Sequence, residues 1–266
     1  MIKKRRKIDY VLYTYHMNEM HEKISAARDI IENCSSLTVL TGAGISAESG
    51  VPTFRGKEGL WRNFRSEDLA TPEAFWNNPK LVWEWYDWRR SATRDAKPNP
   101  GHFALAELED QKKKFTLITQ NIDGLHQMAG SRNMIEMHGN IWQIRCTKCG
   151  DVQQSHKVPL EEIPPRCGLC NEIGRPNVVW FGEIIPMEVI DRSLKAVEEC
   201  EVMLIVGTSG IVEPAASMGL VAKQTGKTVI EINLEYTPNS PLFDLTILGK
   251  SGEILPLLFT SRKVYS

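Results

Sequence analysis

Short apolar runs alternate with longer stretches of helical periodicity along this chain. Each run is nearly continuous in apolar residues and too short for a helix, which is typical of strands buried on both faces of a parallel sheet. Strands that alternate with helices favour a doubly wound sheet, which binds ligands at the carboxyl ends of its strands. The predicted strands are 37–40, 115–119, 178–181, 202–206 and 228–232.

Helical patterns fill much of the chain between these runs. Ile24, Ala27 and Ile31 recur at helical spacing. Thr71 followed by Pro72 predicts a helix N-cap with a proline in the first turn. The predicted helices cover 19–34, 101–110, 187–200 and 214–224, and a further helix carries the apolar stripe Leu81, Trp85 and Trp88.

The composition is that of a globular protein with a sizeable core. The chain has 266 residues, of which 42% are hydrophobic and 24% charged, and its net charge is −1. So small a net charge gives no general attraction to nucleic acids or membranes, and no apolar run is long enough to span a bilayer. The basic stretch 1–18 could bind an acidic partner, but we expect a disordered extension there.

The stretch from Gly42 to Arg55 is the most informative in the chain. Gly42, Gly44 and Ala47 follow a predicted strand with the spacing of a dinucleotide-binding loop, whose backbone N–H groups approach a pyrophosphate. An ordinary strand-to-helix turn gives the same spacing. The loop continues through Phe54, and no second strand with an acidic end follows where a hydride-transfer enzyme would have it. The stretch therefore favours NAD binding without dehydrogenase chemistry.

Four of the six cysteines form two Cys-x-x-Cys pairs, Cys146 with Cys149 and Cys167 with Cys170. This spacing is typical of a zinc ribbon, and four thiolates close a tetrahedral site without an open position, so the predicted single zinc is structural. A nucleic-acid-binding ribbon is the alternative, but the charges between the two pairs are balanced. Cysteines arranged for a metal site, and not for a disulfide framework, also indicate a reducing compartment, and we expect a cytoplasmic protein.

Two further polar segments follow predicted strands. Residues 120–123, Gln-Asn-Ile-Asp, come directly after the run 115–119, and their amides and carboxylate could hold a carboxamide and a ribose. Asp123 could equally cap the next helix. His138 lies just before the first cysteine pair, where it could act as a general base near neutral pH, although a lone histidine is often structural.

Tyr86 and Arg89 are three residues apart on a predicted helix and therefore share a face. They lie beside the apolar stripe of that helix. A phenol next to a fork-shaped guanidinium can hold a carboxylate. On a solvated helix face the same two side chains would have no such role, and the pattern alone leaves both alternatives open.

Together these segments resemble the sirtuin family of NAD-dependent protein lysine deacylases over about 24–259. Each motif is modest alone, but their order along the chain is specific. The resemblance rests on Gly-Ala-Gly-Ile-Ser at 42–46, Pro-Thr-Phe-Arg at 52–55, Gln-Asn-Ile-Asp at 120–123, His138, the four paired cysteines, Val-Trp-Phe-Gly-Glu at 179–183, Gly-Thr-Ser at 207–209 and Asn-Leu-Glu at 233–235.

The resemblance implies that NAD is a consumed co-substrate that meets an acylated lysine in a cleft between two domains. His138 would take a proton from a ribose hydroxyl of NAD, and the products would be nicotinamide, free lysine and O-acyl-ADP-ribose. Contacts with NAD are implied for Gly42, Ala43, Gly44, Ser46, Phe54, Arg55, Gln120, Asn121, Ile122, Asp123, Gly207, Thr208, Ser209, Asn233, Leu234, Glu235 and Ser251.

Sirtuins of the desuccinylase class carry Tyr-x-x-Arg with a small residue upstream, and Tyr86, Arg89 and Ala70 match that pattern. The resemblance therefore implies removal of succinyl, malonyl and glutaryl groups from protein lysines, with deacetylation as a second activity. The substrate peptide would pair with the stretch 179–183 by β-addition. The implied substrate contacts are Ala70, Tyr86, Arg89, Val179, Phe181 and Gly182.

The expected fold class is thus α/β, a Rossmann-like doubly wound parallel sheet with a smaller inserted zinc-ribbon and helical domain. We expect 19–54, 101–139 and 177–266 to form the NAD-binding domain, and 55–100 with 140–176 to form the small domain. An ADP-ribosyltransferase or NADase, and a non-enzymatic zinc-ribbon module, are the alternatives, and the intact His138 weighs against both. The expected partners are acylated protein lysines, with no nucleic acid and no membrane, and the oligomeric state stays open.

Overall fold

The structure is a computed structural model that describes residues 2–52 and 65–259, and it contains a large parallel sheet and a small antiparallel one. The strands alternate with helices along the chain, as the apolar runs predict. In chain order they are β1 (Ser36–Thr41), β2 (Lys114–Thr119), β3 (Met134–Glu136), β4 (Gly139–Cys146), β5 (Val152–Gln154), β6 (Gly174–Val178), β7 (Val202–Val206), β8 (Thr228–Asn233) and β9 (Leu245–Leu248).

The large sheet grows outward from β1 in both directions. One half runs from β1 through β2 to β3, and the other runs from β7 through β8 to β9, so that the order is β3-β2-β1-β7-β8-β9. Every neighbouring pair is parallel. The winding reverses between β1 and β7, which is the place where open α/β sheets bind ligands. The α/β fold class with a doubly wound sheet is therefore confirmed.

Some helices pack on the two faces of the large sheet, and others come before the small sheet in the chain and pack against it. Thr71 caps one of them through its hydroxyl, which accepts the Ala74 N–H at 3.1 Å, and Pro72 occupies the first turn, both as predicted. The helices are α1 (Ile2–Asn33), α2 (Ala43–Ala47), α3 (Ser66–Leu69), α4 (Pro72–Asn77), α5 (Pro79–Arg94), α6 (Pro100–Gln111), α7 (Leu125–Ala129), α8 (Met187–Glu199), α9 (Ala215–Gln224) and α10 (Ser251–Phe259), with a 3₁₀ turn at Ser240–Leu242.

Two hydrophobic cores lie on opposite faces of the large sheet, and the central strands contribute to both. Leu37 and Val39 of β1 pack with α1, α6 and α10, whereas Leu40 packs with α8 and α9. In β7, Leu204 joins the first core and Met203 the second. Because both faces are covered, most residues of these strands are apolar, and the strands appear in the sequence as nearly continuous hydrophobic runs.

The small antiparallel sheet has the order β5-β4-β6 and carries the cysteine pairs at its far end. A third hydrophobic core joins it to the helices that precede it in the chain, with Phe75, Trp83 and Trp85 packed against Trp142 and Trp180. The segments predicted to form the small domain, 55–100 and 140–176, thus share one core over their described parts.

Two expectations about secondary structure differ from the structure. Helix α1 begins at Ile2, where we expected a disordered extension over 1–18, because no glycine or proline interrupts the chain before Asn33. The expected strand 178–181 is also wrong, since β6 ends at Val178. The N–H groups of Val179 and Phe181 leave the sheet and donate to the carbonyls of His138 and Ala70, both at 2.9 Å. Among the described helices, none is both long and apolar enough to cross a membrane.

Candidate active site

A cavity of about 710 Å³ opens at the carboxyl ends of β1, β2, β7 and β8, beside the point where the winding reverses. The Gly42 N–H donates to the Val206 carbonyl at 3.0 Å, and the Gly44 N–H donates to the Gly207 carbonyl at 2.8 Å. A Cβ on Gly42 would lie 2.8 Å from the Gly207 oxygen, and one on Gly44 2.7 Å from the Gly207 Cα, so this close approach requires glycine. The residues of the loops after β1, β7 and β8 that line the cavity are Gly42, Ala43, Gly44, Ser46, Gly207, Thr208, Ser209, Asn233, Leu234 and Glu235.

The loop after β2 lies against the glycine loop. Asn121 donates from Nδ2 to the Gly42 carbonyl at 3.0 Å and to the Ser46 hydroxyl at 3.1 Å. Asp123 lines the cavity and accepts the Leu125 N–H at 2.9 Å, but it is not the helix cap that the sequence allowed, because the N-cap of α7 is Gly124. Burial raises the pKa of Asp123, although hydrogen bonds from Leu125 and Ser46 oppose the shift. Gln120, Asn121, Ile122 and Asp123 all line the cavity.

His138 also lines the cavity and is half-buried between β3 and β4. Its Nδ1 lies 3.0 Å from the Gln120 carbonyl oxygen. Because a carbonyl only accepts, Nδ1 carries the proton of the neutral ring and Nε2 is the basic nitrogen. Burial lowers the pKa of His138, and the contact with Gln120 only partly offsets this. The neutral imidazole is therefore the dominant form at neutral pH, as a general base requires.

Ala70, Tyr86 and Arg89 line the same cavity and are 4%, 1% and 7% exposed. The alternative of a solvated helix face is therefore wrong for Tyr86 and Arg89. The Tyr86 hydroxyl accepts the indole N–H of Trp180 at 2.9 Å, and burial raises its pKa, which keeps the phenol protonated. Burial lowers the pKa of Arg89, and the neighbouring Tyr86 and Asp123 oppose the shift. An arginine stays cationic at neutral pH in such surroundings.

The predicted peptide-binding stretch forms one wall of the cavity. Val179, Phe181 and Gly182 all line it, and Phe181 is 44% exposed. The two backbone hydrogen bonds of this stretch tie it to His138 on one side and to Ala70 on the other. The stretch therefore connects the candidate base with Ala70, which lines the same cavity as Tyr86 and Arg89.

Ser251 occupies a neighbouring pocket of about 430 Å³ rather than the main cavity. The two pockets share Gly44, Gly207, Asn233 and Leu234. The Ser251 hydroxyl donates to Glu48 at 2.9 Å, a contact that the sequence did not indicate. Phe54 and Arg55, which we expected to contact NAD, lie outside the described residues.

The four paired cysteines gather at one end of the small sheet. Their sulfur atoms all lie within 4.8 Å of one another, with Cys146 at 3.4 Å from Cys170 and Cys149 at 3.7 Å from Cys167. A tetrahedral zinc with Zn–S bonds of about 2.3 Å places its sulfurs about 3.8 Å apart. The cluster therefore fits one zinc with a complete set of thiolate ligands. None of the four cysteines lines the cavity, which agrees with a structural metal.

Comparison with known proteins identifies the family. The sequence model of the Sir2 family matches residues 42–214, which include the glycine loop, His138 and all four cysteines. The chain belongs to the Sir2 family. This sirtuin is 54% identical over 235 residues to the NAD-dependent protein deacylase of Aquifex aeolicus, with 88% of the chain and 95% of the relative covered.

Other relatives and solved structures agree with this assignment. The NAD-dependent protein deacylase 2 of Pyrobaculum aerophilum is 51% identical, with 88% of the chain and 94% of the relative covered. A solved Sir2 homologue in complex with NAD superimposes with a TM-score of 0.83 at 46% identity, covering 88% of this chain and 92% of its own. A Sir2 complex with a p53 peptide and NAD gives 0.77 at 32% identity, covering 86% and 93%.

The buried face of α5 is the main feature that the periodicity missed. The predicted stripe centred on Leu81, Trp85 and Trp88, but Leu81 and Trp88 are only half-buried. Helix α5 is covered on a second side by the loop 155–160, where Leu160 donates its N–H to Asp87 at 3.1 Å. A helix covered on two sides has no single apolar stripe. Its fully buried members are Val82, Trp83, Trp85, Tyr86, Asp87, Arg89, Arg90 and Thr93.

Proposed function

We propose that this sirtuin removes acyl groups that end in a carboxylate, namely succinyl, malonyl and glutaryl, from protein lysines, and acetyl as a second activity. That it is an NAD-dependent protein deacylase follows from its family and from its close relatives of that name. The observation that carries the acidic preference is the buried pair Tyr86 and Arg89, which faces the same cavity as His138.

The cavity offers two ends with different chemistry, and this supports a placement of the two substrates. Backbone and small side chains of the loops at 42–46, 207–209 and 233–235 suit the phosphates and adenosine half of NAD. The amide and carboxylate at Asn121 and Asp123 suit its nicotinamide side, with Gln120 near the ribose. The acylated lysine would then enter along Val179, Phe181 and Gly182, from the opposite side.

His138 is placed between these two ends and supplies the base of the proposed reaction. The acyl carbonyl oxygen bonds to C1′ of the ribose as the bond to nicotinamide breaks. Nε2 of His138 then takes the proton of a ribose hydroxyl, and that hydroxyl oxygen attacks the acyl carbon. Hydrolysis of this adduct releases the lysine amine and leaves O-acyl-ADP-ribose. The thiolate-bound zinc takes no part, because it has no open position and lies outside the cavity.

Size and charge at the acyl end both favour a short acidic chain. The side chain of Ala70 stops at Cβ, which leaves room beyond the carbonyl of the acyl group. Arg89 can donate two parallel hydrogen bonds to a carboxylate, and the Tyr86 hydroxyl can add a third. A hydrogen bond to a charged group contributes about 1.5–3 kcal/mol, which is about a tenfold to hundredfold preference.

The proposed partner is therefore an acylated lysine on a protein surface, bound through its backbone and its acyl chain. The buried free thiols Cys34 and Cys200, together with the thiolate cluster, favour the reducing conditions of the cytoplasm.

Replacing Arg89 with methionine tests the acidic preference. Methionine keeps the length and apolar stem of the side chain but removes the charge. We expect kcat/KM for a succinyl peptide to fall about tenfold to a hundredfold more than kcat/KM for the matched acetyl peptide. Both constants are measured with the same peptide sequence and saturating NAD.

Arg94→Met is the matched control for this experiment. Arg94 lies on the same helix but is exposed and pairs with Asp95 at 3.0 Å, away from the cavity. Its replacement should leave the ratio of the two constants unchanged. Equal losses on both peptides in Arg89→Met would mean that Arg89 supports the fold and does not recognise a carboxylate.

A further inference from the structure

Trp180 connects the proposed acyl-binding end of the cavity, formed by Ala70, Tyr86 and Arg89, to the predicted peptide-binding stretch 179–183. Its indole is 2% exposed, and its Nε1–H donates to the Tyr86 hydroxyl at 2.9 Å. The ring of Phe75 packs against it with the centroids 5.2 Å apart. An indole N–H only donates, so the Tyr86 oxygen must be the acceptor, and the phenol proton is left to be donated elsewhere.

A half-buried ion pair holds the indole in place. The guanidinium of Arg175 lies over the Trp180 ring at 3.5 Å from its centroid. Arg175 itself is fixed by two hydrogen bonds to the Glu183 carboxylate, at 2.6 and 2.8 Å, and by one to the Val178 carbonyl at 3.0 Å. Glu183 also accepts the backbone N–H of Trp180 at 2.9 Å. Both the backbone and the ring of Trp180 are thus anchored by the same pair.

We propose that Trp180 is a positioning residue for acidic acyl groups, which orients the Tyr86 hydroxyl toward the terminal carboxylate, with Arg175 and Glu183 holding the indole. The inference rests on the proposed function, because it assigns the Tyr86 proton to an acyl carboxylate. With one lone pair of the hydroxyl oxygen occupied by Trp180, the phenol proton rotates among fewer orientations. The Tyr86 O–H is then already directed toward a carboxylate that binds beside Arg89.

An acetyl group has no carboxylate and gains nothing from this orientation. The contribution of Trp180 should therefore appear in the binding of acidic acyl peptides, and hence in KM more than in kcat. A residue that only supports the fold would change the constants for both peptides alike.

Trp180→Phe removes the indole N–H and keeps an aromatic ring for Arg175 and Phe75. We expect the ratio of kcat/KM for succinyl over acetyl peptide to fall about threefold to tenfold, mainly through KM of the succinyl peptide. Trp83→Phe is the matched control, because Trp83, which lies on the same helix as Tyr86, also donates an indole N–H, at 2.7 Å, but to the Gly174 carbonyl. This control should leave the ratio unchanged even if it lowers stability.

A double-mutant cycle with Tyr86→Phe completes the test. If Trp180 acts through the Tyr86 hydroxyl, the double variant should show the same ratio as Tyr86→Phe alone. Additive effects, or an unchanged ratio in Trp180→Phe, would overturn the inference while leaving the acidic preference intact. If Arg89→Met and Tyr86→Phe also leave the ratio unchanged, the acidic preference itself fails, and the inference fails with it.

Discussion

Replacing His138 with alanine should lower kcat for deacylation about a hundredfold to ten-thousandfold, the usual contribution of a positioned general base. The structure gives the reason in one contact and in the burial of the ring. The Gln120 carbonyl accepts a hydrogen bond from the Nδ1–H, which leaves Nε2 as the base, and burial keeps the ring neutral. Release of nicotinamide with an acylated peptide, followed over time, measures the effect.

The pH dependence of kcat gives a second check on the same residue. A neutral base loses activity as the pH falls through its pKa, and burial places the pKa of His138 below the ordinary value of about 6.5. Activity should therefore fall as the solution is made acidic, with a midpoint below about pH 6.5. His156→Ala is the control, because His156 is exposed on the small domain and does not line the cavity. An acid limb centred above pH 7, or an active His138→Ala enzyme, would contradict the role.

Removing the zinc should abolish activity although the metal does not touch the cavity. Structural zinc contributes on the order of 10–16 kcal/mol, as much as the whole stability of a typical domain. Strand β4 runs from Gly139, next to His138, to the ligand Cys146, and β6 runs from near the second pair to Val178. Loss of the metal therefore releases both strands that hold the base and the peptide wall.

Chelation and Cys149→Ser both test this dependence. We expect loss of deacylation together with loss of the protection of β4, β5 and β6 amides against hydrogen exchange. Both should recover when zinc is returned to the chelated protein. Cys34→Ser is the control, since Cys34 lies outside the cysteine cluster and its thiol donates to the Ile31 carbonyl, a bond that serine also makes. A zinc-free protein with full activity and unchanged melting temperature would show that the cluster is dispensable.

The central strands were predictable because they are buried on both faces. Their apolar runs at 37–40, 115–119, 202–206 and 228–232 lie within β1, β2, β7 and β8. The edge strands β3 and β9 were missed, and so were all three strands of the small sheet, β4, β5 and β6. A short strand at an edge needs few apolar residues, and the alternation at Leu245–Leu248 is too brief to stand out.

The candidate site divides in the same way. Features that depend on local chain geometry, such as the glycine loop and the paired cysteines, have a characteristic residue spacing that can be recognised in the sequence. Contacts between distant segments do not, and the bond from Trp180 to Tyr86 joins residues 94 positions apart. Burial of Arg89 likewise depends on how α5 packs against two neighbours, which no pattern within the helix records.

The acidic acyl preference is tested most directly with the unmodified enzyme and two peptides that differ only in charge. Succinyl-lysine and its terminal amide have the same length and shape, so that size at Ala70 is matched and only the carboxylate is removed. We predict kcat/KM about tenfold to a hundredfold higher for the succinyl peptide, with the difference declining at high salt. Equal constants for the two peptides, or a preference for the amide, would contradict the proposal.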